Sequence, residues 1–230
     1  MLKIDIITIF PESFDSYFNA SIMRRAEKRK LVEIKTYNLR NWATDKHKTV
    51  DSRPYGGGPG MILKVDVLYK AIKKYLSLGS QEKCRSKIVL LTPTGKFFNQ
   101  KIAERFSKLE KLILICGHYE GFDKRVEKFA DEKISVGPYI LTGGELGAMI
   151  ITDAVVRLIP GVIKAESLEE ESFSKKIGNG EYPQYTRPAE FNFKDGLGKI
   201  KKLLVPKILL SGDHKKIKEW RQKRIKYLKD

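Results

Sequence analysis

Apolar residues recur along this chain in two rhythms. Residues 2–10, 32–37, 87–91, 112–116 and 133–136 are short runs rich in Ile, Val and Leu, and they predict buried strands. Residues 14–30 place Phe14, Phe18, Ile22 and Ala26 four apart and end in basic residues, which predicts a helix. Residues 65–78, 96–108, 123–129 and the long apolar stretch 144–158 predict further helices or helical connectors. Pro11 ends the first strand, and Pro160-Gly161 ends the last of these helices. Strands alternating with helices predict an α/β domain with a mostly parallel sheet over residues 1–162. Residues 163–180 are acidic and glycine-flanked, and read as a mobile linker. Residues 198–204 and 214–228 predict helices, so 181–230 reads as a small, mainly α-helical C-terminal domain.

Charge changes this picture. The chain has 45 Lys and Arg against 28 Asp and Glu, a formal net charge of +17. Such a balance points to a polyanion, nucleic acid before an anionic membrane surface. The charge is uneven, with residues 194–230 carrying 13 basic and 4 acidic residues. Phosphate contacts need only such side chains, so a non-catalytic RNA-binding or ribosome-associated protein fits the tail as well as an enzyme does. No apolar run of membrane-spanning length and no secretory pattern at Met1–Asp5 is present, so a cytoplasmic protein is expected. Cys84 and Cys116 have no CxxC spacing and read as reduced thiols.

Four glycine clusters are the candidate chemistry. Three follow strands: Leu91–Gly95, Cys116–Gly121 and Val136–Glu145. Ligands of open α/β sheets bind outside the carboxyl ends of strands, and glycine lets backbone approach them closely. Three such loops together predict one small-molecule pocket with a polar edge. The fourth, Asp51–Met61, carries two prolines, Tyr55 and Met61, so it reads as a shaped loop rather than a flexible linker. No GxGxxG, P-loop, HExxH or GxSxG motif occurs, and the histidines His47, His118 and His214 lack metal spacing. Arg157, at the end of the apolar helix, reads either as a cation facing the helix dipole or as a site residue. The run Glu169–Glu171 reads either as solvated charge or as a source of a general base.

Seven blocks in order carry a resemblance: DSRPYGGGPGM at 51–61, LTPTG at 91–95, CGHYEGFDKRV at 116–126, VGPYILTGGE at 136–145, RLIPGV at 157–162, YPQYTRP at 182–188 and LLSGDHKKIKEWR at 209–221. Together they closely resemble the bacterial tRNA (guanine-N1)-methyltransferases of the SPOUT class. The resemblance implies a deep trefoil knot in the α/β domain and S-adenosylmethionine as methyl donor. It implies cofactor binding by Pro93, Gly117, Glu120, Val136, Gly137, Pro138, Tyr139, Ile140, Leu141, Gly143 and Gly144. The implied substrate is tRNA with guanosine at position 37, just 3′ of the anticodon. Implied tRNA contacts are Asp51, Arg53, Gly58, Gly60, Arg187, His214 and Trp220. The implied assembly is a homodimer whose active site combines both subunits. Arg157 matches the family's guanine-supporting arginine. Its linker acid is an aspartate before Ser-Phe, whose place here is taken by Glu171, with Glu169 and Glu170 as fallbacks. His118 stands where many relatives carry arginine, and Pro138 where an acid is common. A magnesium requirement is typical of the family, although no metal-ligand cluster is visible in the sequence. Another SPOUT-type RNA methyltransferase is the main alternative.

Overall fold

A computed structural model describes residues 1–79, 85–169, 171–173 and 180–227. The chain divides into two compact units, Met1–Lys164 and Ala165–Asp230. Cys84 lies outside the described residues.

The strands of the first unit are β1 (Leu2–Thr8), β2 (Val32–Asn38), β3 (Asp51–Ser52), β4 (Ile62–Leu63), β5 (Ser86–Phe97), β6 (Lys111–Cys116) and β7 (Glu132–Ser135). Five form one sheet in the order β2-β1-β6-β5-β7, with every pairing parallel. β3 and β4 pair antiparallel with each other. The helices are α1 (Asp15–Phe18), α2 (Ser21–Lys28), α3 (Val65–Gly79), α4 (Gln100–Phe106) and α5 (Glu145–Val156). Runs such as Leu112–Cys116 lack polar alternation because the sheet is covered on both faces. On one face Ile4, Ile6, Leu112 and Leu114 pack with Phe106 of α4 and Ile151 of α5. On the other Ile7, Ile113 and Ile115 pack with Leu68 and Ile72 of α3.

Asp5 interrupts the apolar pattern of β1 and is only 3% exposed. Its carboxylate accepts a hydrogen bond from the Tyr75 hydroxyl at 2.7 Å and pairs with Lys111 Nζ at 2.9 Å. Burial, and then the Asp5 hydrogen bond, push the Tyr75 phenol well above its ordinary value. Lys111→Met would leave a buried carboxylate without its cation, an expected loss of about 3 kcal/mol. The readout is a lower urea midpoint at unchanged slope. An unchanged midpoint would mean that the tyrosine hydroxyl suffices.

The structure departs from the sequence pattern at several places. The single helix expected over 14–30 is broken: Pro11–Phe14 is a 3-10 turn, and α1 and α2 are separated at Asn19-Ala20, with Ser21 at φ +43°. The Asn19 side chain donates to the Asp15 carbonyl at 2.8 Å, which caps α1 locally. The helix expected over 96–108 begins only at Gln100, where the Asn99 side chain caps it. The preceding LTPTG segment is not a free loop: β5 continues through it after an irregularity between Leu91 and Lys96, and Lys96 and Phe97 pair with Ile134 and Ser135.

The second unit contains α6 (Ala165–Glu169), β8 (Gly180–Glu181), β9 (Glu190–Lys194), β10 (Ile200–Leu204), α7 (His214–Lys223) and β11 (Lys226–Tyr227). It is mixed rather than mainly α-helical among the described residues. Residues 198–204 form strand β10, antiparallel to β9, and not a helix. The turn decides this. Asp195 Oδ1 accepts from the backbone N–H groups of Leu197 and Lys199 at 2.9 and 3.0 Å, and Gly198 takes φ +76°. α7 is capped by Asp213, which accepts from Lys216 N at 3.1 Å. It ends five residues before 228, and the chain instead pairs β11 with β8. Within the stretch read as a linker, residues 165–169 are helical, while 170 and 174–179 lie outside the described residues. No described helix is long and apolar enough to cross a membrane.

Candidate active site

Leu91, midway along β5, stands beside Cys116 at the end of β6 and Ile134 near the end of β7, so the irregular stretch Thr92–Gly95 of β5 and the loops that leave β6 and β7 converge. Between them is a cavity of about 470 Å³, within the range of small-molecule sites. Glycine permits the closeness of its walls. A Cβ on Gly144 would stand 2.7 Å from Cys116 Cα and 2.8 Å from Gly117 N, so the loop after β7 lies directly on the end of β6. Gly144 N donates to the Gly117 carbonyl at 2.7 Å, and Gly143 forms a bridge with His118. A Cβ on Gly95 would stand 2.5 Å from the Ile134 backbone, so the turn after Leu91 is pressed onto β7 in the same way.

Pro93, Gly117, Glu120, Val136, Gly137, Tyr139, Ile140, Leu141, Gly143 and Gly144 all line this cavity. Pro138 does not. It is exposed, while Tyr139 folds back so that its hydroxyl donates to the Val136 carbonyl at 3.2 Å. Residues outside the candidate glycine clusters also line the cavity, among them Ser135, Glu127 and Lys133. Ser135 Oγ donates to the Gly137 carbonyl at 2.9 Å and shapes the turn beneath the cavity. Hydrogen bonds from Lys124 and Lys133 hold the Glu127 carboxyl below its usual value. These residues close no glycine motif, so only the strand ends could have marked them.

His118 has a buried Nδ1 with no hydrogen-bond partner, and its ring meets Phe10 and Tyr119 edge-on at 5.2 and 4.7 Å. Cys116 is a buried thiol. Burial, and then the charge of Glu145, push it well above its ordinary value, so it is a poor nucleophile. Glu145 itself accepts from Thr8 Oγ1 at 2.6 Å.

The fourth glycine cluster joins the same loops. Glu120 N donates to the Met61 carbonyl at 3.0 Å, Leu63 N donates to the Gly121 carbonyl at 2.9 Å, and the Glu120 side chain packs on Gly60. Gly56, Gly57, Gly58 and Gly60 all have positive φ. Asp51 lies in β3 and pairs across to Leu63, whereas Arg53, Gly58 and Gly60 are exposed. Arg157 caps the carboxyl end of α5, its N–H donating to the Asp153 carbonyl at 3.1 Å. Asp153 also accepts a hydrogen bond from Tyr17, whose phenol is pushed up to about 12 by that bond.

In the second unit, Glu171 is half-buried and follows α6 closely; Glu169 ends α6, and its side chain, like residue 170, lies outside the described residues. Arg187 is exposed and precedes a cis proline, and His214 opens α7. Trp220 lies 6.3 Å from the Tyr185 ring, with Arg224 4.8 Å over its face. Among the described residues, no three His, Cys, Asp or Glu side chains converge on a possible metal site.

The family model described as tRNA (Guanine-1)-methyltransferase TrmD matches residues 2–228. Similar curated proteins include the tRNA (guanine-N(1)-)-methyltransferase of Dictyoglomus turgidum, 52% identical over 97% of this chain and 84% of that protein. Those of Carboxydothermus hydrogenoformans and Chloroflexus aggregans are 48% and 47% identical, each over 96% of this chain and 82% of the relative. With the match running over residues 2–228, the chain belongs to the tRNA (guanine-1)-methyltransferase family.

Proposed function

We propose that this protein is an S-adenosylmethionine-dependent enzyme that methylates N1 of a guanosine in tRNA, at position 37, in the cytoplasm. The observation that carries this reading is the cavity between the irregular middle of β5 and the ends of β6 and β7 in a chain matched along its length to that family. The residues fit the methyl donor. The cavity is lined by Gly117, Gly137, Gly143 and Gly144, where backbone can come close to a ligand, and by Glu120, which brings a carboxylate.

Guanine N1 carries a proton and is a weak nucleophile until that proton leaves. S-adenosylmethionine, when bound, supplies an electrophilic methyl on a positively charged sulfur. We assign the general base to Glu171, with Glu169 and Glu170 as fallbacks. Its carboxylate takes the N1 proton and so frees the N1 electron pair to accept the methyl group that the bound donor would supply, the methyl–sulfur bond breaking with its electron pair left on sulfur and S-adenosylhomocysteine leaving. Negative charge grows on guanine O6, and Arg157 is assigned to stabilise it. Asp51, Arg53, Gly58, Gly60, Arg187, His214 and Trp220 are assigned to tRNA. Magnesium is assigned no residue.

The finer architecture belongs to the same reading. The trefoil knot is assigned from the family match, and the close approaches of Gly95 to Ile134 and of Gly144 to Cys116 leave room for no side chain there. Leu146 and Ile150, one turn apart on α5, are exposed together with Tyr139 and Ile140, which supports a homodimer joined beside the cavity. We retain residues 163–180 as the segment linking the catalytic residues 1–162 to the tRNA-binding residues 181–230.

The test is methyl transfer to two tRNA transcripts that differ only in guanosine or adenosine at position 37. Methylation of the first alone, mapped to N1, is the expected result. Equal transfer to both, or to neither while the cofactor binds, would assign the enzyme another RNA position.

A further inference from the structure

The hairpin of β9 and β10 presents an aromatic pair that the proposed reaction does not use. Side chains alternate across a strand, so Phe191 and Phe193 point to the same face. Their rings are 6.1 Å apart and within 13° of parallel. The register places Leu203 opposite Phe191 and Lys201 opposite Phe193, so these four share that face. Phe191 is 54% exposed and Leu203 58%. Phe193 is half-buried beside Phe191, and an isolated two-stranded ribbon gains little by leaving Phe191 in water.

The surrounding charge states what would cover them. Residues 190–207 hold five lysines, Lys194, Lys199, Lys201, Lys202 and Lys207, against Glu190 and Asp195. Glu190 lies on the opposite face, where it pairs with Lys202 at 2.6 Å and accepts from Asn192. Asp195 is occupied by the turn, accepting two backbone N–H groups and pairing with Lys201 at 3.2 Å. Lys201 shares the aromatic face, where Asp195 pairs with it, while Lys194 and Lys202 lie on the opposite face; the hairpin region as a whole carries five lysines against two acids, and both acids are held by groups of the hairpin itself. Two aromatics at i and i+2 on a strand, bordered by lysine, form a surface on which unpaired bases stack while the phosphates meet the cations.

We infer that the face carrying Phe191, Phe193, Lys201 and Leu203 binds unpaired nucleotides of the tRNA substrate by base stacking. The inference rests on the tRNA reading above, and it assigns a second contact separate from the methyl-transfer cavity.

The test uses the full chain and an unmodified tRNA transcript, with binding followed by fluorescence anisotropy at fixed salt. Wild-type binding comes first, because its failure would count against the tRNA reading and not against the hairpin alone. The variant Phe191→Leu/Phe193→Leu keeps the apolar bulk and removes both π faces. Its Kd for tRNA is expected to rise about tenfold or more, since stacking on one aromatic accounts for roughly 5- to 150-fold in affinity. Phe191→Tyr/Phe193→Tyr should bind within about twofold of wild type, because the faces remain. S-adenosylmethionine affinity should be unchanged in both. The dependence of log Kd on log salt should keep its slope in the leucine variant and become shallower in Lys201→Gln, which removes a phosphate contact. A leucine variant that binds tRNA like wild type would overturn the inference. If that variant also sedimented as a smaller species, the face would belong to contacts between copies of the chain. Equal loss in the leucine and tyrosine variants would overturn it in favour of a structural role.

Discussion

Glu171→Gln is expected to slow single-turnover methyl transfer by roughly 10²- to 10⁴-fold at saturating tRNA and S-adenosylmethionine, the usual contribution of a positioned general base. The substitution keeps the size of the side chain and removes its ability to take the N1 proton. Cofactor affinity should be unchanged, because the residues lining the cavity all fall between Leu90 and Gly147, whereas Glu171 belongs to the second unit. The loss should therefore appear in the chemical step and not in the Kd for S-adenosylmethionine. Glu171→Asp should retain part of the rate, since a carboxylate remains. Normal single-turnover transfer in Glu171→Gln would remove the assignment and pass it to Glu169 or Glu170.

Gly144→Val should both unfold more easily and lose cofactor binding. The new Cβ would lie 2.7–2.8 Å from backbone atoms of Cys116 and Gly117, closer than real Cβ contacts come. Backbone cannot swing aside as a long side chain can. The loop after β7 would have to lift from β6, breaking the 2.7 Å bond from Gly144 N to the Gly117 carbonyl and displacing a wall of the cavity. A stability loss of about 3 kcal/mol is expected, at the upper end of ordinary overpacking. The measurements are the urea midpoint and calorimetric titration with S-adenosylmethionine. Gly147→Ala is the control. It lies one turn further along the helix, where an added Cβ would meet Val136 at 3.5 Å, an ordinary contact. That change should be neutral or stabilising by up to about 1 kcal/mol, from helix propensity. Wild-type stability and binding in Gly144→Val would mean that the close crossing does not shape the cavity.

The candidate site was legible to the extent that its residues are local. Glycines after three apolar runs marked the loops; the eleven cofactor residues were implied by the family resemblance, and ten of them line the cavity. Pro138 was the exception, because Tyr139 folding back toward Val136 leaves the intervening proline outside. Ser135, Glu127 and Lys133 were not legible, since their place in the wall depends on which strands are neighbours. The hairpin failed for a different reason. Ile200, Leu203 and Leu204 fall at i, i+3 and i+4, a spacing that predicts a helix. The opposing signal was Asp195 with Gly196 and Gly198 between Phe193 and Ile200, a turn whose side-chain hydrogen bonds override the weaker apolar spacing.

By itself, then, the sequence determined the buried strands, the glycines after three of them and a basic carboxyl-terminal region. Each of these follows from composition and short-range pattern, which act over a few residues. Only the tertiary structure decided that those glycine loops face one cavity. Their convergence depends on the order β6-β5-β7, which joins segments far apart in the chain. It also decided which glycines are pressed against backbone, Gly95 and Gly144, and which stand open, such as Gly57. A glycine is the same residue in both settings, and the difference is the chain that passes beside it.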